Sequence, residues 1–179
     1  MYAKLPLIAI STELLLILLL WSLACLGAFV WCSYTDLRSC RIPNWITYPF
    51  LITTLLIASL SVEWLFSALL GGLVAATVFL IPIFLFGPEK AGMGDVKLAA
   101  LGGLLLGPFY TVEALTISFL LAAIVLFPLR MLGYIKARQA IPFGPFIAFG
   151  FIVELVFLLS MVLSNTIGIV YKVTTIMAF

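Results

Sequence analysis

Ala91-Gly92-Met93-Gly94-Asp95-Val96-Lys97-Leu98 opens an apolar run that Gly107-Pro108 interrupts after about twelve residues. Twelve residues make ~18 Å of helix, which is too short for a ~30 Å hydrocarbon core. Two explanations fit: the glycine-rich segment dips below the membrane surface, or the span continues through a kink at Pro108. The first is favoured, because irregular backbone is tolerated at membrane depth where it lines a water-accessible cavity. Asp95 would then stand at the mouth of such a cavity, and an ionisable group there needs a reason. Only one other aspartate, Asp36, is available to join it.

The rest of the chain is built to suit. Of its 179 residues 65% are hydrophobic and 9% charged, and the mean hydropathy of +1.34 lies far outside the range of water-soluble domains. Such a chain is an all-α polytopic membrane protein, a single membrane-embedded domain with room for about six helices of ~20 residues. The spans fall at about 13–33, 44–61, 64–86, 96–107, 109–129 and 142–164, with 165–179 a weakly apolar tail that either spans in part or lies along the interface. The run from Leu14 to Val30 exceeds the 7–15 residues of a signal-peptide core and is read as a retained helix. Short connections imply antiparallel neighbours. A glycine-rich loop before span four completes the picture.

Charge sets the orientation. If the connections after spans one, three and five share a side, that side carries Arg38, Arg41, Lys90, Lys97, Arg130, Lys136 and Arg138, and the other only Lys4 and Lys172. Positive residues in short loops mark the cytoplasmic face. Asp36 and Asp95 therefore share that face. The net charge of +2 is too small for a nucleic-acid surface, so the environment to expect is the lipid bilayer. The absence of histidine removes Ser-His and Cys-His nucleophiles and histidine metal sites. Cys25, Cys32 and Cys40 have no CxxC spacing and read as buried, inert thiols.

Two carboxylates that approach closely cannot both ionise easily and share a proton. One then serves as general base on a water while the protonated partner polarises a carbonyl, which is the chemistry of aspartic proteolysis. Gly92 and Gly94 fit, because glycine permits unusual backbone angles and lets an extended substrate lie close.

Three segments give this a family likeness. Thr35-Asp36-Leu37-Arg38 with Ile42-Pro43-Asn44, then Gly92-Met93-Gly94-Asp95-Val96-Lys97-Leu98, then Ile141-Pro142-Phe143-Gly144-Pro145-Phe146 resemble the signatures of the type IV prepilin peptidases, GxGD intramembrane aspartic proteases. The likeness covers roughly residues 13 to 164. It implies Asp36 and Asp95 as the catalytic pair, with no metal and no cofactor. It implies Gly92, Gly94, Lys97, Pro43, Asn44, Pro142, Gly144 and Pro145 as residues that bind substrate or shape loops. The partner it implies is a single-span prepilin or pseudopilin, of a type IV pilus or type II secretion system, cut on the cytoplasmic side after a glycine. The place it implies is the cytoplasmic (inner) membrane. Bifunctional members carry an N-terminal insert with two CxxC pairs, which this sequence lacks. It is similar to the short forms of Flp/Tad-type or preflagellin peptidases, and peptidase activity without methyl transfer is expected.

Several residues keep two readings. Lys97 either orients or charge-balances Asp95, or snorkels to the interface. Asp36 on its own could be a loop residue paired with Arg38 or Arg41. Glu154, near the middle of span six, is either a protonated or hydrogen-bonded structural group or a contact for the substrate helix. Glu13, Glu63 and Glu113 are structural, and Trp21, Trp31, Trp45 and Trp64 are interfacial anchors. Two other classes of function compete. A metal-dependent enzyme acting on lipid phosphates would need three or more oxygen ligands where this face offers Asp36, Asp95 and Glu89. A small transporter would need a polar midplane pathway beyond Glu154.

Overall fold

The structure, a computed structural model, describes residues 12–86, 92–134 and 141–177, with side chains for 14–85, 92–134 and 141–164. Lys4, Glu89, Lys90, Lys136 and Arg138 lie outside the described residues, as do the side chains of Glu13 and Lys172. The described chain is all helical: α1 (Thr12–Ser39), α2 (Asn44–Ala58), α3 (Val62–Phe86), α4 (Met93–Met131) and α5 (Gly144–Met177). Among the described residues α1, α3, α4 and α5 are long and apolar enough to cross a membrane, whereas α2 is shorter. The large apolar side chains that face outward, Leu16, Leu20, Ile52, Phe66, Phe84 and Ile124 among them, belong against lipid. This is a polytopic all-α membrane protein.

The helix bounds depart from the expected spans in ways that matter for the site. α1 runs on to Ser39, so Asp36 lies within its last turns and not in a loop beyond it. Cys40 ends that helix with φ 49 and is exposed, unlike the buried Cys25 and Cys32. α2 stops at Ala58, before the expected end at 61. α4 begins at Met93 with Gly92 as its N-cap, so Gly94 and Asp95 are helical and not part of a glycine-rich loop. Residues 165–177 continue α5.

Gly107 explains the short apolar run. Its φ of 71 and ψ of 177 are non-helical, and they divide α4 into arms at 93–106 and 108–131. Proline bars the residue before it from the helical region and is well suited to start a new helix itself. Gly107 thus becomes the cap of the second arm, and the Thr111 hydroxyl donates back to its carbonyl at 2.6 Å. Contacts with α3 give the direction of each arm. On the first arm Ala100 and Leu104 approach Gly72 and Gly103 approaches Gly71, while the break itself meets Ser67. On the second arm Phe119 stacks on Phe79, with ring centroids 5.7 Å apart. From residue 107 to 119 the contact point on α3 thus moves from Ser67 to Phe79, opposite to the sense of the first arm. The chain reverses at Gly107 and does not continue through it as a kinked span; most of the glycine-rich segment expected to dip, 87–91, lies outside the described residues.

Small residues make this reversal possible. A Cβ on Gly71 would sit 2.6 Å from the Gly107 carbonyl carbon and 2.8 Å from its Cα. Both are backbone atoms that cannot swing aside. Gly71→Ala should therefore destabilise the fold by about 1–3 kcal/mol or more, read as a lower melting temperature in detergent, whereas Gly27→Ala, with nothing within 4 Å, should not. The core forms where α1, the first arm of α4 and α5 meet. Phe29 and Phe151 stack at 5.9 Å, and the Phe151 ring fills the place a Cβ on Gly102 would take.

Candidate active site

The two aspartates come to one end of the bundle from different helices. Asp36, only 5% exposed, projects from the last turns of α1 toward the start of α5. There the Gly144 N–H donates to its Oδ2 at 2.8 Å. Asp95, half-buried, is the third residue of α4, where its own N–H donates to the Gly92 carbonyl at 3.0 Å. Both carboxyls thus lie at helix N-termini, where unpaired N–H groups and the helix dipole favour negative charge. They are also near enough for the charge of Asp36 to act on Asp95. Arg38 does not pair with Asp36; its guanidinium lies 4.7 Å from the Tyr34 ring centroid.

The GxGD glycines act differently from the expectation. Gly92 has φ −76 and ψ 126, ordinary extended values, so neither it nor the helical Gly94 supplies an unusual backbone angle. Gly94 supplies room instead. A Cβ there would lie 3.0 Å from Cβ of Ile42, the residue before Pro43 in the connection between α1 and α2. The carbonyl of Pro43 caps α2, accepting from the N–H groups of Ile46 and Thr47. The missing side chain on Gly94 therefore lets that connection sit against the turn that carries Asp95.

Lys97 makes a contact that neither of its two readings named. Its ammonium donates to Asn44 Oδ1 at 2.9 Å and lies 4.6 Å from the Tyr48 ring centroid, so it joins the first turn of α2 to α4. Tyr48 escaped the sequence reading, although its place one turn after Asn44 puts the two on one helix face. Replacing Lys97 with Met should remove a contact worth about 1 kcal/mol at an exposed site. The loss should show as a melting temperature lower by about 2–4 °C in detergent.

Of the third segment, Gly144 hydrogen-bonds an aspartate, Asp36; Pro142 and Pro145 flank it, half-buried. Glu154 lies one-third of the way along α5 and is buried, and its Oε2 lacks a hydrogen-bond partner among the described residues. Glu113 is exposed. Trp21 is tied to α2: its indole N–H donates to Thr54 Oγ1 at 3.2 Å and its ring stacks on Phe50. A cavity of about 280 Å³ opens at the opposite end of the bundle, among Trp21, Thr54, Trp64 and Leu104, away from both aspartates.

No solved structure matches the chain significantly. A curated relative, "Prepilin leader peptidase/N-methyltransferase" of Bacillus subtilis (strain 168), is 35% identical over 121 residues, which cover 66% of this chain and 48% of the relative. The chain thus spans about half the length of that relative. A model of the type IV leader peptidase family matches residues 16–127, more than half of the sequence and a stretch that holds both Asp36 and Asp95. The chain belongs to the type IV leader peptidase family.

Proposed function

We propose that this protein is an intramembrane aspartic endopeptidase that removes the cytoplasmic leader from type IV prepilin-like precursors. The observation that carries this reading is the convergence of Asp36 and Asp95 from α1 and α4 at one end of an apolar bundle, each at a helix N-terminus. Two carboxylates sharing one proton supply both groups that hydrolysis needs. The ionised member takes a proton from water, whose oxygen attacks the carbonyl carbon of the scissile bond, while the protonated member donates to the carbonyl oxygen. Collapse of the tetrahedral intermediate breaks the C–N bond and a proton passes to the leaving amine.

The helices α1, α2 and α3, the two arms of α4, and α5 make six passes in this reading. Arg38, Arg41, Lys97 and Arg130 then gather on the aspartate side, which the positive-inside bias assigns to the cytoplasm. A single-span precursor whose leader stays in the cytoplasm presents its cleavage site at that depth. Of the two activities in the relative's name, hydrolysis is the one for which convergent carboxylates provide the chemistry.

The test is leader removal. Purified protein in lipid nanodiscs is mixed with a prepilin carrying its leader, and the products are read by mass spectrometry. Cleavage that persists in chelator is expected. No cleavage of any prepilin-like substrate would overturn the assignment, and cleavage restored only by Mg²⁺ would move the protein to a metal-dependent class.

A further inference from the structure

We propose that Gly144 is a positioning residue of the peptidase reaction, its N–H fixing one oxygen of Asp36 and its missing side chain leaving the space that this carboxyl occupies. The inference rests on the reading of Asp36 and Asp95 as the catalytic pair.

The start of α5 presents a single free donor. The first N–H groups of a helix have no intrahelical partner. Phe143 caps α5, and its carbonyl accepts from the N–H groups of Phe146 and Ile147 at 3.1 and 3.2 Å. Pro145 has no N–H at all. Gly144 is what remains, and its N–H donates to Asp36 Oδ2. A hydrogen bond to an ionised acceptor is short and directional, so Oδ2 is held and Oδ1 is the oxygen left for the water.

Room at Gly144 matters as much as the bond. A Cβ there would lie 2.8 Å from Oδ2 and 3.1 Å from both Cβ and Cγ of Asp36. Asp36 Cβ belongs to the backbone-fixed part of α1 and cannot retreat, so the carboxyl group would have to turn. In the turned position it points away from the place where it would work with Asp95. Alanine at 144 is therefore expected to damage the reaction in the molecules that remain folded, beyond any cost to the fold. Gly150, two turns along the same helix, provides the contrast. A Cβ there would meet the Ala114 carbonyl and Ser118, in the packing between α5 and the second arm of α4.

The experiment compares Gly144→Ala and Gly150→Ala with wild type in the prepilin assay and in thermal melts. Displacement of a reacting group by about 1 Å costs on the order of 10²-fold. Gly144→Ala should thus lose kcat on that scale per folded molecule, with KM unchanged within about threefold, a loss far larger than its drop in melting temperature would account for. Gly150→Ala should melt lower and keep the kcat of wild type per folded molecule. A Gly144→Ala enzyme with wild-type kcat would overturn the proposal. A second measurement is independent of how that variant folds. Only Gly87, Gly144 and Gly150 follow a phenylalanine, so labelling with carbonyl-¹³C phenylalanine and ¹⁵N glycine isolates three amides. One of them should move upfield in Asp36→Asn, as a charge-assisted bond becomes a neutral one. Three unmoved amides would overturn the proposal too. A wild type that cleaves nothing, but whose amide responds to Asp36, would refute the protease reading and leave the hydrogen bond standing.

Discussion

Asp95→Asn, and separately Asp36→Asn, should each reduce leader removal on the order of 10³-fold without lowering the melting temperature. Asparagine keeps the size and shape of aspartate but can neither accept the proton of an attacking water nor return one to the leaving amine. The neutral partner also ends the sharing of a proton, so the remaining aspartate has no complementary group to work with. Stability should hold because each substitution relieves the electrostatic conflict between two carboxyls brought to one end of the bundle. Asparagine at 36 also retains a carbonyl oxygen able to accept from the Gly144 N–H. The measurement pairs a cleavage time course with circular-dichroism melts of the same preparations. Full cleavage by either variant would end the two-aspartate mechanism. Loss of cleavage together with loss of helix would point to a structural role.

Gly107→Ala should cause a large loss of stability, through backbone strain as well as a collision. A residue with φ near 71 and ψ near 177 occupies a region essentially reserved for glycine, and holding any other residue there costs about 1–3 kcal/mol. The new Cβ would also collide with the Ser67 side chain on α3. Together these should lower the melting temperature by roughly 10 °C. Shrinking the obstacle separates the two causes: Gly107→Ala/Ser67→Ala should recover the collision and leave the backbone strain, a coupling that a double-mutant cycle reads directly. Activity should fall with stability here. The reversal at Gly107 brings Phe119 back to Phe79 and Phe143, and Phe143 immediately precedes the glycine that holds Asp36. Gly107→Ala with wild-type melting would show that the arms of α4 do not depend on that angle.

The two expectations reach the site by different routes, and the routes differ in how legible they were. Nothing beyond amino-acid order was needed to recognise a polytopic helical membrane protein, because an apolar run of sufficient length has nowhere else to go. The same holds for the candidate aspartates, since a chain with only two offers a single possible pair. The interruption at Gly107-Pro108 was visible as well, and so was the shortness of the run before it. Its physical meaning was not, because a proline within an apolar run is compatible with a kink, a break or a reversal. Contacts of Ser67 and Phe79 on a neighbouring helix distinguish among these.

Local order determined the helices, the membrane setting, the two carboxylates and the family likeness of their surroundings, since each depends on neighbours within a few turns. Tertiary structure alone decided which group holds each side chain. Asp36 meets Gly144 across 108 residues of sequence, and Lys97 meets Asn44 across 53, which makes Lys97 a tie between α4 and α2. Helical periodicity says which face a residue occupies but not which helix lies opposite. That choice was made by small residues, Gly71 against Gly103, Gly94 against Ile42 and Gly144 against Asp36, whose missing side chains set how closely the helices and their connections can approach.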